Sequence, residues 1–175
     1  MREPVLESAQ RNEKLVALLN ARLADAIDLM LMTRIAHWNL GDSALPGTDG
    51  LFDRIHDDVV EHVDLLAERA VQLGGEADGR LARVASVSQL GPYPSSCTDI
   101  GAHLAALADV LERFGQLLKL SAEEAGQLGD SNTAEILGGV RRDLDDHLWF
   151  VRGRHTALPT GATTVEVQVP ERGNG

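Results

Sequence analysis

A chain of 175 residues, 43% apolar but only 3% aromatic, is long enough for one domain with a real core. That composition points to Leu/Ala/Val packing between helices. A net charge of −11 argues against a body that attracts phosphate backbones unaided and suits a surface or cavity that handles cations. The single Cys97 excludes an internal disulfide framework and a cysteine zinc site. No N-terminal segment has the pattern of a signal peptide, and no apolar run approaches the roughly 18 residues of a membrane span. The expected location is the cytosol, with no membrane partner.

Residues 1–10 are polar, open Met-Arg-Glu-Pro, and read as a mobile arm. From about Arg11 to Leu40 apolar residues recur at helical spacing: Leu15, Leu18, Leu19, Leu23, Ile27 and Met30. Gly41, Pro46 and Gly47 break the pattern. A second helix is expected from Pro46 or Thr48 to Leu73, closed by Gly74-Gly75. Residues 74–97 carry Gly, Pro and Ser, with a short helix around Leu81–Gln89. A third helix spans Thr98–Gln127. A fourth runs from Thr133 to about Arg154, with Asn132 and Glu135 spaced as a capping box. The tail "TALPTGATTVEVQVPERGNG" is loosely ordered, with one short strand. The organisation is therefore an arm (1–10), a bundle (11–155) and a tail (156–175). The middle link can cross the whole bundle at about 3.3 Å per residue. The expected fold is all-α, a ferritin-like four-helix bundle with one long crossover carrying a short helix.

The second helix carries two carboxylate pairs, Asp49/Asp53 and Asp64/Glu68. At about 100° per residue all four fall in one stripe roughly 100° wide, provided the helix includes Asp49. They cannot share one ion, because the pairs lie about 22 Å apart along the axis. Each pair could work with other helices of its own bundle, but intrachain di-iron bundles use Glu-x-x-His motifs, and this chain has none. The alternative is a second copy, antiparallel, that brings 49/53 against 64/68 of its partner. A two-fold axis near residues 58–59, with Val59 and Val60 in contact, would make two identical shared sites. His37, near the end of the first helix, is the candidate nitrogen ligand beside Asp49 and Asp53. Imidazole with carboxylates and no thiolate suits iron or manganese. Each residue also has a plainer explanation. Asp49 suits a helix N-terminus, Asp53 a solvated face, Glu68 a pairing with Arg69 or Arg34, and His37 a hydrogen-bonded core position.

"AHWNLG", then Asp at 12 and 16 residues past the histidine, then "DLLAERAVQLGG" resembles the Dps family of mini-ferritins. "TAEIL", "RDLDDHLWF" and a link ending "YP" extend the resemblance over about residues 13–152. The resemblance implies a hollow dodecamer built from dimers that oxidises Fe(II), preferably with hydrogen peroxide, and stores ferric mineral. It assigns His37, Asp49 and Asp53 to one subunit's share of a ferroxidase centre, and Asp64 and Glu68 to the partner's. The family usually carries histidine where Asp49 stands, so a shorter anionic ligand replaces an imidazole. His56 is the nearest spare histidine. Trp38 and Trp149 match family tryptophans, as packing residues or as acceptors of stray oxidising equivalents. Asp130 and Glu135 resemble acids lining iron-entry pores, where a carboxylate ring would concentrate Fe(II); both also suit a helix N-terminus.

Direct DNA binding is doubtful. Arg2, Arg11 and Lys14 are balanced by Glu3, Glu7 and Glu13, and Arg172 by Glu166 and Glu171, so neither terminus is a basic tail of the kind that reaches phosphates. Nucleoid association would then be indirect. Two other classes stay open: a structural nucleoid or cage protein with an impaired ferroxidase site, and a metallohydrolase, for which no nucleophile–base arrangement is visible around Cys97.

Overall fold

The computed structural model describes residues 3–40, 50–94 and 96–158, with side chains from Ser8 onward. Among them are five α-helices and no strand: α1 (Glu3–Leu40), α2 (Leu51–Gln72), α3 (Leu81–Val87), α4 (Ile100–Gln127) and α5 (Ser131–Thr156). The chain is all-α, and α1 with α2 and α4 with α5 form two long hairpins, joined by a crossover that carries α3. α1 starts eight residues ahead of the expected Arg11, since a proline at the second helical position is tolerated in the first turn. α2 starts at Leu51 after Gly50, whose φ of 72° is left-handed; Pro46 and Thr48, the expected starts, lie outside the described residues. Asp49 and the expected C-terminal strand lie outside the described residues.

Each long helix buries one stripe. α1 contributes Leu15, Leu19, Leu23, Ala26 and Leu29; α2 contributes Ile55, Val59, Leu66 and Ala70; α4 contributes Leu104, Leu107, Leu111, Phe114 and Leu118; α5 contributes Leu137, Val140, Leu144 and Val151. The three-and-four spacing turns these residues to one side, and each buried leucine stabilises by about 1.5–3 kcal/mol. α2 and α4 end in the same motif. Gly74 (φ 88°) donates to Val71 O and Gly75 to Ala70 O, while Gly129 (φ 77°) donates to Gly126 O and Asp130 to Ala125 O. Both are the paired backbone bonds that satisfy the last carbonyls when glycine takes the left-handed position. Gly75 also meets α1 so closely that a Cβ there would collide with the Val16 side chain.

Polar residues on α1 hold the crossover. Asn20 donates to Glu76 O at 2.8 Å and accepts from Asp78 N at 2.8 Å. Asp25 accepts from Gln89 N at 2.7 Å, and Ser88 Oγ donates to Asp28. Arg22, 5% exposed, lies 3.0 Å from the fully buried Asp25 and donates to Leu117 O and Ser121 Oγ of α4. Burial pushes the Asp25 carboxyl up and the Arg22 guanidinium down, each partly offset by the other. At the far end, the buried His103 donates from Nε2 to Cys97 O at 2.8 Å and accepts from the Tyr93 hydroxyl at 3.2 Å.

Removing one member of a buried pair leaves the other charge uncompensated. Asp25→Ala is therefore expected to cost about 3–5 kcal/mol in guanidinium unfolding at fixed protein concentration. A cost below about 1 kcal/mol, the level of an exposed pair, would show that the clamp contributes little. Gly75→Ala is expected to cost about 1–3 kcal/mol through the clash with Val16; an unchanged midpoint would mean that Val16 yields freely.

Candidate metal centre

α2 packs alongside α1, so residues near the end of α1 meet the start of α2. His37 Nδ1 lies 3.1 Å from Asp53 Oδ1. Both side chains are close to half exposed, which leaves the pair open to an incoming ion. Arg34, one helical turn before His37, donates from Nη1 to the same oxygen at 3.0 Å. The Asp53 carboxylate is thus held between an imidazole and a guanidinium. Asp64 and Glu68 are exposed further along α2, about 16 and 22 Å from Asp53 along the axis. Glu68 lines a shallow, mainly apolar groove with Ala67, Val71 and Ala77. The structure brings His37 and Asp53 together and keeps Asp64 and Glu68 away from them within one chain.

Several sequence expectations need correction. Arg34 pairs with Asp53 and Arg69 with Asp130, so neither forms the expected pair with Glu68. His56 turns back to α1, its Nδ1 lying 3.2 Å from Met30 O and 3.3 Å from Thr33 Oγ1. Val59 is fully buried in the core and cannot meet a second copy; Val60 is the exposed neighbour. With Leu31, Trp38, Leu65 and Val71 it forms the exposed apolar set of α1 and α2, Trp38 being 68% exposed. Trp149, 72% exposed, stacks edge-on to Phe150 at 5.0 Å, so neither tryptophan packs in the core.

Asp130 caps α5, accepting from Thr133 N at 2.9 Å, where Asn132 was expected to cap. It also receives two bonds from Arg69, at 2.8 and 3.0 Å. Burial opposes its ionisation, but the Thr133 N–H and the Arg69 guanidinium outweigh that and hold the carboxyl below the ordinary value. Glu135 is exposed and makes no capping-box contact with Asn132. The pairing of Arg34 with Asp53 escaped the sequence reading because the two lie 19 residues apart on different helices; a cation at position −3 from His37 was the available signal.

Residues 16–159 match the Ferritin family model, a ferritin-like domain. A DNA protection during starvation protein of Agrobacterium fabrum is 39% identical over 139 residues, spanning 78% of this chain and 84% of that one. The corresponding protein of Brevibacillus brevis is 26% identical, spanning 79% and 93%. The fold superimposes on Dps from Thermosynechococcus elongatus with a TM-score of 0.79 at 22% identity, covering 90% of this chain and 99% of that one. A Mycobacterium smegmatis Dps1 mutant gives 0.76 at 26% identity, covering 83% and 97%. A Vibrio cholerae Dps structure, described as a member of a broad superfamily of ferritin-like diiron-carboxylate proteins, gives 0.77 at 22% identity, covering 83% and 91%. The chain belongs to the Dps family of ferritin-like proteins.

A depressed carboxyl stabilises the fold above its unfolded pKa, and that contribution is lost as pH falls through the folded value. Asp130→Asn is therefore expected to lower the thermal midpoint at pH 7 and to narrow the gap to wild type under acid, where the wild-type carboxyl is protonated too. A gap that stays constant from pH 7 down to about pH 2 would contradict this, since ordinary carboxyls titrate near pH 4.

Proposed function

We propose that this chain is an iron-storing mini-ferritin. It oxidises Fe(II) with hydrogen peroxide at centres shared between two subunits, lays down ferric mineral inside a hollow dodecamer built from dimers, and so spares DNA from oxidative damage in the bacterial cytosol. The carrying observation is the placement of donors: His37 and Asp53 in contact near one end of α2, with Asp64 and Glu68 free on the same helix and too far away to join them. A second copy, antiparallel about a two-fold axis near residues 58–59, supplies the partner's acids to each half-site. Val60, Leu65, Leu31 and Trp38 are the apolar groups available to cover one another there. Family membership supports the same reading.

Fe(II) is the substrate. His37, Asp49 and Asp53 of one subunit hold it with Asp64 and Glu68 of the other, and the carboxylates favour the more highly charged Fe(III). Arg34 is displaced from Asp53 as the ion arrives. Each of two Fe(II) ions gives up one electron; the O–O bond of one peroxide breaks and, with two protons, two waters leave. Because both electrons are delivered together, no hydroxyl radical is released. Acids such as Glu135 raise the local Fe(II) concentration on the way in. Asp130 belongs to this path only if its grip on Arg69 is released. Protection comes from removing iron and peroxide, because neither terminus is basic enough for tight direct DNA binding.

One observation favours a second reading, a cage with an impaired centre: Asp49 stands where the family usually carries histidine. Anaerobic Fe(II) loading followed by a peroxide pulse decides between them. Ferric absorbance is expected to rise fast in wild type and slowly in Asp64→Ala; a wild-type rate no faster than buffer would leave only the cage. Sharing across subunits has its own signature. Asp53→Asn and Glu68→Gln chains are each expected to be slow. Refolded together, they should regain about a quarter of the wild-type sites, because each mixed dimer carries one intact and one doubly altered centre. No recovery would exclude a shared centre.

A further inference from the structure

The two hairpins also meet between α2 and α5, and the polar residues there follow a repeated pattern. α2 carries "DVVEH" (58–62) and α5 carries "DLDDH" (143–147), each with Asp and His one helical turn apart. Because the helices run antiparallel, the pairs cross: His62 Nε2 lies 3.1 Å from Asp143 and His147 Nε2 lies 2.9 Å from Asp58. With Glu61 and Asp146 they line a cavity of about 280 Å³. Two imidazoles and four carboxylates therefore face one groove.

Ion pairing explains the two rings incompletely. The His62 side chain is 7% exposed, and its Nδ1 is buried with no hydrogen-bond partner among the described residues. His147 Nε2 is buried and close to Asp58, yet no directed hydrogen bond joins them. A buried ring nitrogen left without a hydrogen bond is costly. A buried imidazole nitrogen without a hydrogen-bond partner is a good metal ligand.

We propose that this groove is a second metal site, within one chain and separate from the His37–Asp53 centre, in which His62, His147, Asp58 and Asp143 bind a divalent transition-metal ion. Paired imidazoles with carboxylates and no thiolate select a borderline d-block ion over calcium or magnesium. Among the described residues no three donors already surround one point. The Asp58 and Asp143 side chains, 53% and 60% exposed, are the groups that swing inward to complete the coordination. The acidic rim of Glu61 and Asp146 supplies the local field that draws a cation in.

Co(II) is the probe, titrated into the full-length assembled protein carrying Asp53→Asn and Glu68→Gln to weaken the other centre. One Co(II) per chain is expected, with visible d–d bands and imidazole outer-shell scattering in X-ray absorption. Adding His147→Gln should weaken binding by at least about tenfold and reduce the imidazole scattering to that of one ring. Should that variant lose helicity, Asp58→Asn with Asp143→Asn alters the half-exposed partners and leaves both rings in place; it should weaken binding by a similar factor. Failure of Co(II) to bind in the starting background, or undiminished affinity in a folded groove variant, would overturn the proposal.

Discussion

An α-helix advances about 1.5 Å per residue and does not stretch. On α2 that ruler keeps Asp53 and Glu68 too far apart to meet over one ion, however their side chains turn. A centre drawing on both acids has to recruit a second molecule, and an antiparallel copy is the arrangement that serves both half-sites equally. The rest of the chain can be understood as holding α2 straight and presenting one of its faces. Ile55, Val59, Leu66 and Ala70 fix its rotation by burial, so Asp53, Asp64 and Glu68 are left outside. The glycine motif after Gln72 ends it sharply.

The crossover carries the second burden. A link that runs along the bundle must satisfy its own backbone, and α1 meets that need with side chains that would look misplaced in a helix–helix core. Asn20 donates and accepts, and Asp25 accepts, where the crossover passes, and Arg22 neutralises Asp25 while reaching α4. One buried ion pair thus binds three parts of the fold: first helix, crossover and third long helix. It also explains why α1 is less cleanly amphipathic than α2, since polar groups sit inside its buried face.

The long helices were legible because leucine spacing and terminal glycines are local signals, and the crossover was legible from its length. The proposal of a shared centre rests on arithmetic along one helix, which the sequence already allowed. Contacts closed by the fold itself were not legible. Asp130 caps α5 because it also reaches Arg69, 61 positions away; judged locally, Asn132 with Glu135 was the better cap. Val59 and Val60 are equivalent apolar residues in sequence, and only the rotation of α2 decides that the first is core and the second surface. Arg34 and the crossed His–Asp pairs belong to the same class, each requiring the helix packing before the partner can be known.

For the proposed centre, the guanidinium of Arg34 on Asp53 changes what loading means electrostatically. A carboxylate that stood alone would simply gain a charge partner from solution. Here a divalent ion arriving at Asp53 replaces a monovalent group that is already there, so the step is an exchange. The net gain at that oxygen is one positive charge instead of two, and the protein's own side chain is the competitor against which every metal is ranked. A divalent ion that bonds strongly to oxygen clears that threshold, and a singly charged ion from the surrounding salt gains nothing by the swap. The same tether keeps the Asp53 carboxylate paired until a cation competes for it, so in the proposed centre cations are ranked before any electron moves.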